Sequence, residues 1–132
     1  MTTTAAAPGT RRYIGTYPAE PGQVRVARAA LAGWLGGRPL TDEVILVASE
    51  FATNSVLHSA SCHGGVFTLR AEVRQGHIRI EVEDSGGPWR DGVRDDGRPH
   101  GFDVVAAIAG AGNWGIDGDA GGRVAWAWLG RC

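Results

Sequence analysis

The chain has 132 residues, 43% of them hydrophobic, which suffices for one packed core without disulfide or metal staples. Its formal net charge is -1, which speaks against a broad polycationic surface for nucleic-acid phosphates, so no direct nucleic-acid partner is expected. All 13 basic residues are Arg; without Lys there is neither a P-loop nor a Schiff-base lysine.

Residues 1–10, rich in Thr, Ala and Pro, read as a disordered leader without the charged-then-apolar pattern of a signal peptide. No stretch approaches a membrane span, and Cys62 and Cys132 form neither a zinc pattern nor a disulfide framework. A soluble cytoplasmic protein is expected, with residues 11–132 as one domain.

Residues 11–17 read as an edge strand closed by Pro18. A helix is predicted over 23–35, with Val24, Ala27, Leu31, Trp34 and Leu35 on one face and Gly36-Gly37 ending it. A second helix is predicted over 41–58, with Thr41 or Asp42 as N-cap. At about 100° per residue, Val44, Val47, Ala48, Phe51 and Ala52 form its apolar face, and Leu46 and Leu57 lie nearly opposite. A narrow polar stripe, Glu50, Asn54 and His58, runs between them. It is either a solvated face with a helical Glu–Asn contact, or a site in which Asn54 offers a carbonyl oxygen to Mg²⁺ and Glu50 acts as a base. For His58, helix packing or a supporting hydrogen bond is the expected role.

Two strands follow. Phe67, Leu69, Ala71 and Val73 share one face of the first; Ile78, Ile80 and Val82 share one face of the second, and Gln75-Gly76 is the hairpin turn. Asp84 is in phase with the apolar face of its strand. It either caps the turn Ser85-Gly86-Gly87 or accepts from the exocyclic amine of a purine, with Gly86 and Gly87 letting backbone approach the base. Residues 84–100 form a long polar loop. Its Arg90, Arg94 and Arg98 either clamp phosphates or stay solvated, balanced by Asp91, Asp95 and Asp96. A short helix opens at Gly101, where free N–H groups suit a phosphate. Strands are predicted over 113–116 and 123–129, with Val124, Trp126 and Trp128 on one face. The order points to an α+β fold, a two-layer sandwich with helices on one face of a mostly antiparallel sheet.

Three segments in this order resemble the GHKL (HATPase) ATP-binding family. They are most similar to its anti-sigma-factor serine/threonine kinase branch, abundant in actinobacteria. Glu50-Phe51-Ala52-Thr53-Asn54-Ser55-Val56-Leu57-His58 resembles the N box, Glu83-Asp84-Ser85-Gly86-Gly87 the G1 box, and Gly101-Phe102-Asp103-Val104-Val105 the latter part of the G2 box. Asn113-Trp114-Gly115 and residues 122–126 resemble trailing segments of that branch. The resemblance implies a Bergerat-type fold binding ATP and Mg²⁺. It assigns Glu50 as general base, Asn54 as Mg²⁺ ligand, Asp84 as adenine contact and Gly86 beside the base, with Gly101 and Phe102 in the nucleotide-binding G2 segment. It further implies a homodimer that sequesters a sigma factor and phosphorylates an anti-sigma antagonist on Ser or Thr. Two positions depart from the pattern: Pro99 replaces a G2 glycine and has no N–H to give a phosphate, and Val124 stands where a Thr often helps hold adenine. They favour the alternative of a degenerate, partner-binding GHKL domain without kinase activity.

Overall fold

The computed structural model describes residues 10–58, 64–86, 102–119 and 121–130. In chain order the elements are β1 (Arg11–Pro18), α1 (Pro21–Leu35), α2 (Thr41–His58), β2 (Val66–Arg74), β3 (His77–Asp84), α3 (Phe102–Ala109), β4 (Trp114–Asp119) and β5 (Gly122–Gly130). The five strands form one antiparallel sheet in the order β1-β2-β3-β5-β4, and the helices cover one face of it. This is the α+β sandwich expected from the sequence.

Alternation along each strand creates that face. Phe67, Leu69 and Ala71 of β2, Ile78, Ile80 and Val82 of β3, and Ala125, Ala127 and Leu129 of β5 are all buried. Against them lie Ala27, Leu31 and Leu35 of α1, Val44, Val47, Ala48 and Phe51 of α2, and Phe102 and Val105 of α3. Ala71, Ala125 and Ala127 keep the sheet's centre low, and α2 lies across β2, β3 and β5 there. Burying each large aliphatic side chain contributes about 1.5–3 kcal/mol. Leu46 and Leu57, predicted to lie opposite the core, are 43% and 60% exposed.

The β2–β3 turn forms because Gln75 and Gly76 both take positive φ, 48° and 84°, which matches the twist of the hairpin. The predicted N-cap of α2 needs correction. Leu40, at φ 72°, is the residue whose carbonyl accepts the first helical N–H, from Val44. Thr41 is already helical and its hydroxyl donates to the Arg38 carbonyl at 2.6 Å, while Asp42 sits in the first turn. The helix 23–35 begins two residues earlier than predicted, at Pro21, since Pro is tolerated in a first turn where no N–H is needed. The strand predicted over 113–116 runs instead over Trp114–Asp119, because Asp117, Gly118 and Asp119 pair with Val124, Arg123 and Gly122.

The other sheet face carries no helix among the described residues. Arg70 pairs with Glu81 at 2.9 Å and Glu83 at 2.8 Å, Arg12 and Arg74 pair with Glu72, and Arg79 pairs with Glu81. Arg79 also lies over the rings of Trp126 and Trp128, at 5.7 and 6.0 Å. Among the described residues no helix is long and apolar enough to cross a membrane.

The β4–β5 hairpin depends on Gly118. A Cβ there would stand 2.1 Å from the Gly122 carbonyl oxygen, and φ is 104°. Gly118→Ala is therefore expected to cost about 2 kcal/mol, read as a fall of several degrees in the thermal midpoint. Gly33→Ala, in α1 with nothing within 4 Å, should instead raise stability by up to about 1 kcal/mol in the same melt.

Candidate functional site

Two polar residues interrupt apolar faces that otherwise meet. Asp84 ends β3 on the core side and is 7% exposed; Ser55 lies on the buried side of α2 and is 1% exposed. They satisfy one another: the Ser55 hydroxyl donates to Asp84 Oδ2 at 2.6 Å. The other oxygen, Oδ1, accepts the Gly86 N–H at 2.7 Å, with Gly86 at φ 74°. Asp84 thus closes the turn after β3, and it is also anchored from α2. An ionised carboxylate has about four acceptor positions, so these two bonds leave Asp84 acceptor capacity.

Burial pushes the Asp84 carboxyl above the ordinary carboxylate range. The hydrogen bonds from Ser55 and Gly86 and the charge of Arg123 pull it down, and Glu83 adds a smaller upward push.

One residue earlier on α2, Asn54 is 4% exposed, so the polar stripe is not a solvated face there. The Asn54 amide donates through Nδ2 to the Glu50 carbonyl at 2.9 Å. That bond commits the nitrogen to the helix backbone, so the carboxamide oxygen is the end suited to an oxygen-seeking cation. Glu50 is half-buried and lines a groove between α1 and α2 with Val24, Arg28, Asp42, Leu46 and Thr53. The side chain of His58 lies outside the described residues.

Phe102 opens α3 but its ring is 5% exposed and packs against Trp114 at 5.6 Å. Its side chain belongs to the core, which leaves the backbone at the start of α3 as its means of touching a ligand. Asp103, in that first turn, accepts the Val104 N–H at 3.1 Å. Gly101 lies outside the described residues, as do Cys62, His63, Gly87, Trp89, Arg90, Arg94, Arg98, Pro99 and His100.

The β3–β5 register revises the reading of Val124. Val124 pairs with Glu83 and alternates with buried Ala125, so it belongs to the face away from Asp84. Arg123 pairs with Asp84. Sequence reasoning missed Arg123 and Ser55. Ser55 was findable: it continues the apolar stripe of Val44, Ala48 and Phe51, where a lone hydroxyl demands a buried partner.

The family model for the histidine kinase-like ATPase domain matches residues 17–122, and the chain belongs to that family. The crystal structure of the RsbU and RsbW domains of Rv1364c from Mycobacterium tuberculosis is similar in fold, with a TM-score of 0.69 and 23% identity. The match covers 90% of this chain and 32% of that one, so this chain spans about a third of its length. No curated protein matches the chain.

Two outcomes follow for the Ser55–Asp84 pair. Ser55→Ala should lower stability by about 1–3 kcal/mol in urea titration, because a buried acceptor loses its donor. A carboxyl whose folded pKa is raised contributes stability that is fully present below its unfolded pKa and lost as pH rises through the folded value. The stability of the wild type relative to Asp84→Asn should therefore fall as pH rises through that range, and a flat difference would contradict the burial of a charged Asp84.

Proposed function

We propose that this chain is an ATP-binding anti-sigma regulatory protein, which sequesters a sigma factor and phosphorylates an anti-sigma antagonist on Ser or Thr. The observation that carries the nucleotide reading is Asp84: a buried carboxylate at a strand end, held by Ser55 and Gly86, with acceptor capacity left over. Such a group suits the exocyclic amine of adenine, which donates two hydrogen bonds, and would repel the carbonyl that guanine carries at the same ring position. Gly86 lies beside it and lets backbone approach the flat base. Membership of the histidine kinase-like ATPase domain family and the fold match to the RsbU and RsbW domains support the reading. We extend it to a homodimer acting in the cytoplasm.

In the proposed reaction Glu50 takes the proton of the antagonist hydroxyl. That oxygen then forms a bond to the γ-phosphorus of ATP as the bond to the departing ADP breaks. Glu50 suits this task because it is half-buried, one helical turn from Asn54, and faces a groove through which a protein loop can approach. Asn54 would hold Mg²⁺ through its carboxamide oxygen, and the ion would neutralise phosphate charge. Gly101 and the backbone of Phe102 would meet the phosphates at the start of α3.

A second reading, a partner-binding domain without kinase activity, is favoured by Pro99 in the sequence and by one feature of the structure. Asp103 occupies the Val104 N–H in the first turn of α3 and brings a negative charge where a phosphate would sit.

Calorimetric titration with ATP and Mg²⁺ separates the two. The kinase reading expects Mg²⁺-dependent binding that is weakened tenfold or more, by roughly 1.4 kcal/mol or more, in both Asp84→Asn and Asn54→Ala. Glu50→Gln should keep that binding and lose about 10²-fold or more of phosphotransfer to an antagonist. No binding at millimolar ATP would overturn the kinase reading.

A further inference from the structure

The start of β5 places a cation beside the one buried carboxylate described in this fold. Asp84 pairs with Arg123 and Val82 with Ala125 in the antiparallel β3–β5 register. Directly opposed residues project to the same face of a sheet, with Cβ atoms about 5 Å apart. Val82 and Ala125 are both buried under the helices, so Asp84 and Arg123 are the next pair on that face, at the sheet's end. Arg123 is half-buried, and its positive charge acts on the Asp84 carboxylate. Val124 sits on the opposite face, beside Glu83 and Asp117.

A carboxylate can only accept hydrogen bonds, and a guanidinium can only donate them. The amine-bearing end of adenine needs both. Its exocyclic amine donates, and the ring nitrogens flanking that amine, N1 and N7, only accept. Asp84 supplies the acceptor. The side chain at position 124 is aliphatic and on the wrong face to supply the donor. We propose that Arg123 is that donor: it reads a ring nitrogen beside the amine accepted by Asp84, so that the cross-strand pair recognises adenine at two points. The inference rests on adenine occupying the site as proposed above. It gives Arg123 a specificity-determining role.

The test uses the full chain, Mg²⁺, and three ligands: ATP, 1-deaza-ATP and 7-deaza-ATP. Each deaza analogue replaces one flanking nitrogen with C–H and leaves the amine and triphosphate in place. Wild-type protein is expected to bind one analogue about tenfold or more weakly than ATP, as the loss of a hydrogen bond to a charged donor requires. Arg123→Met should bind ATP more weakly by a similar factor and no longer distinguish it from that analogue, and Arg123→Lys should restore part of the preference. Equal binding of all three ligands by the wild type would overturn the proposal without any variant, and so would a preference that survives in Arg123→Met. Failure of the wild type to bind ATP would overturn the nucleotide reading and this inference with it. Binding of ATP without discrimination would overturn this inference alone.

Discussion

A 2.6 Å hydrogen bond from Ser55 to Asp84 ties the last turn of α2 to the end of β3. An ionised carboxylate under a helix layer carries a desolvation cost of several kcal/mol unless donors surround it. Here one donor comes from α2, one from the turn at Gly86, and a cation stands across the β3–β5 ladder. Helix and turn therefore position the two oxygen atoms, and the charge of Arg123 on the neighbouring strand acts on them. A shift of α2 along the sheet would leave Asp84 underbonded, so the pair registers the helix against the strands.

The sheet divides its labour by face. On the helix side, small residues at Ala71, Ala125 and Ala127 admit α2 closely enough for Ser55 to reach the end of β3 while its backbone stays helical. On the other side, ion pairs among Arg12, Arg70, Arg74, Arg79, Glu72, Glu81 and Glu83 cover the strands, with Trp126 packed onto Gly115. A Cβ at position 115 would come within 2.8 Å of the Trp126 ring, so the glycine is the seat for the indole. Exposed ion pairs of this kind stabilise little, on the order of 0–1 kcal/mol each. Their effect is to keep that face polar, while the buried side holds most of the stability and the candidate site.

Much of this was legible from periodicity. The two-residue alternation of β2, β3 and β5 and the apolar stripes of the first two helices identified the core residues, and Gln75-Gly76 marked the hairpin. Asp84 was conspicuous as a charged residue in phase with Ile78, Ile80 and Val82. The same logic applied to Ser55 would have paired the two, since polar residues on two facing apolar surfaces must find each other. Two features depended on tertiary context. The N-terminus of α2 is set by the left-handed Leu40, and no propensity distinguishes that from a cap at Thr41. The roles of Arg123 and Val124 depend on register between β3 and β5, strands separated by a loop and a helix. A one-residue slip exchanges their faces. The sequence pattern put Val124 on the same face as Trp126 and Trp128, as observed, yet only the pairing with Glu83 shows that this face is not the one Asp84 occupies.

The central claim is that Asp84, held by Ser55 and Gly86, is where a purine's amine docks. A crystal structure of the chain with Mg²⁺ and a non-hydrolysable ATP analogue tests it most directly. The account expects the adenine amine within hydrogen-bonding distance of an Asp84 oxygen, about 2.7–3.2 Å, with the Ser55 bond intact. An ordered nucleotide whose base lies away from Asp84, or one that displaces Ser55 from it, would contradict the account.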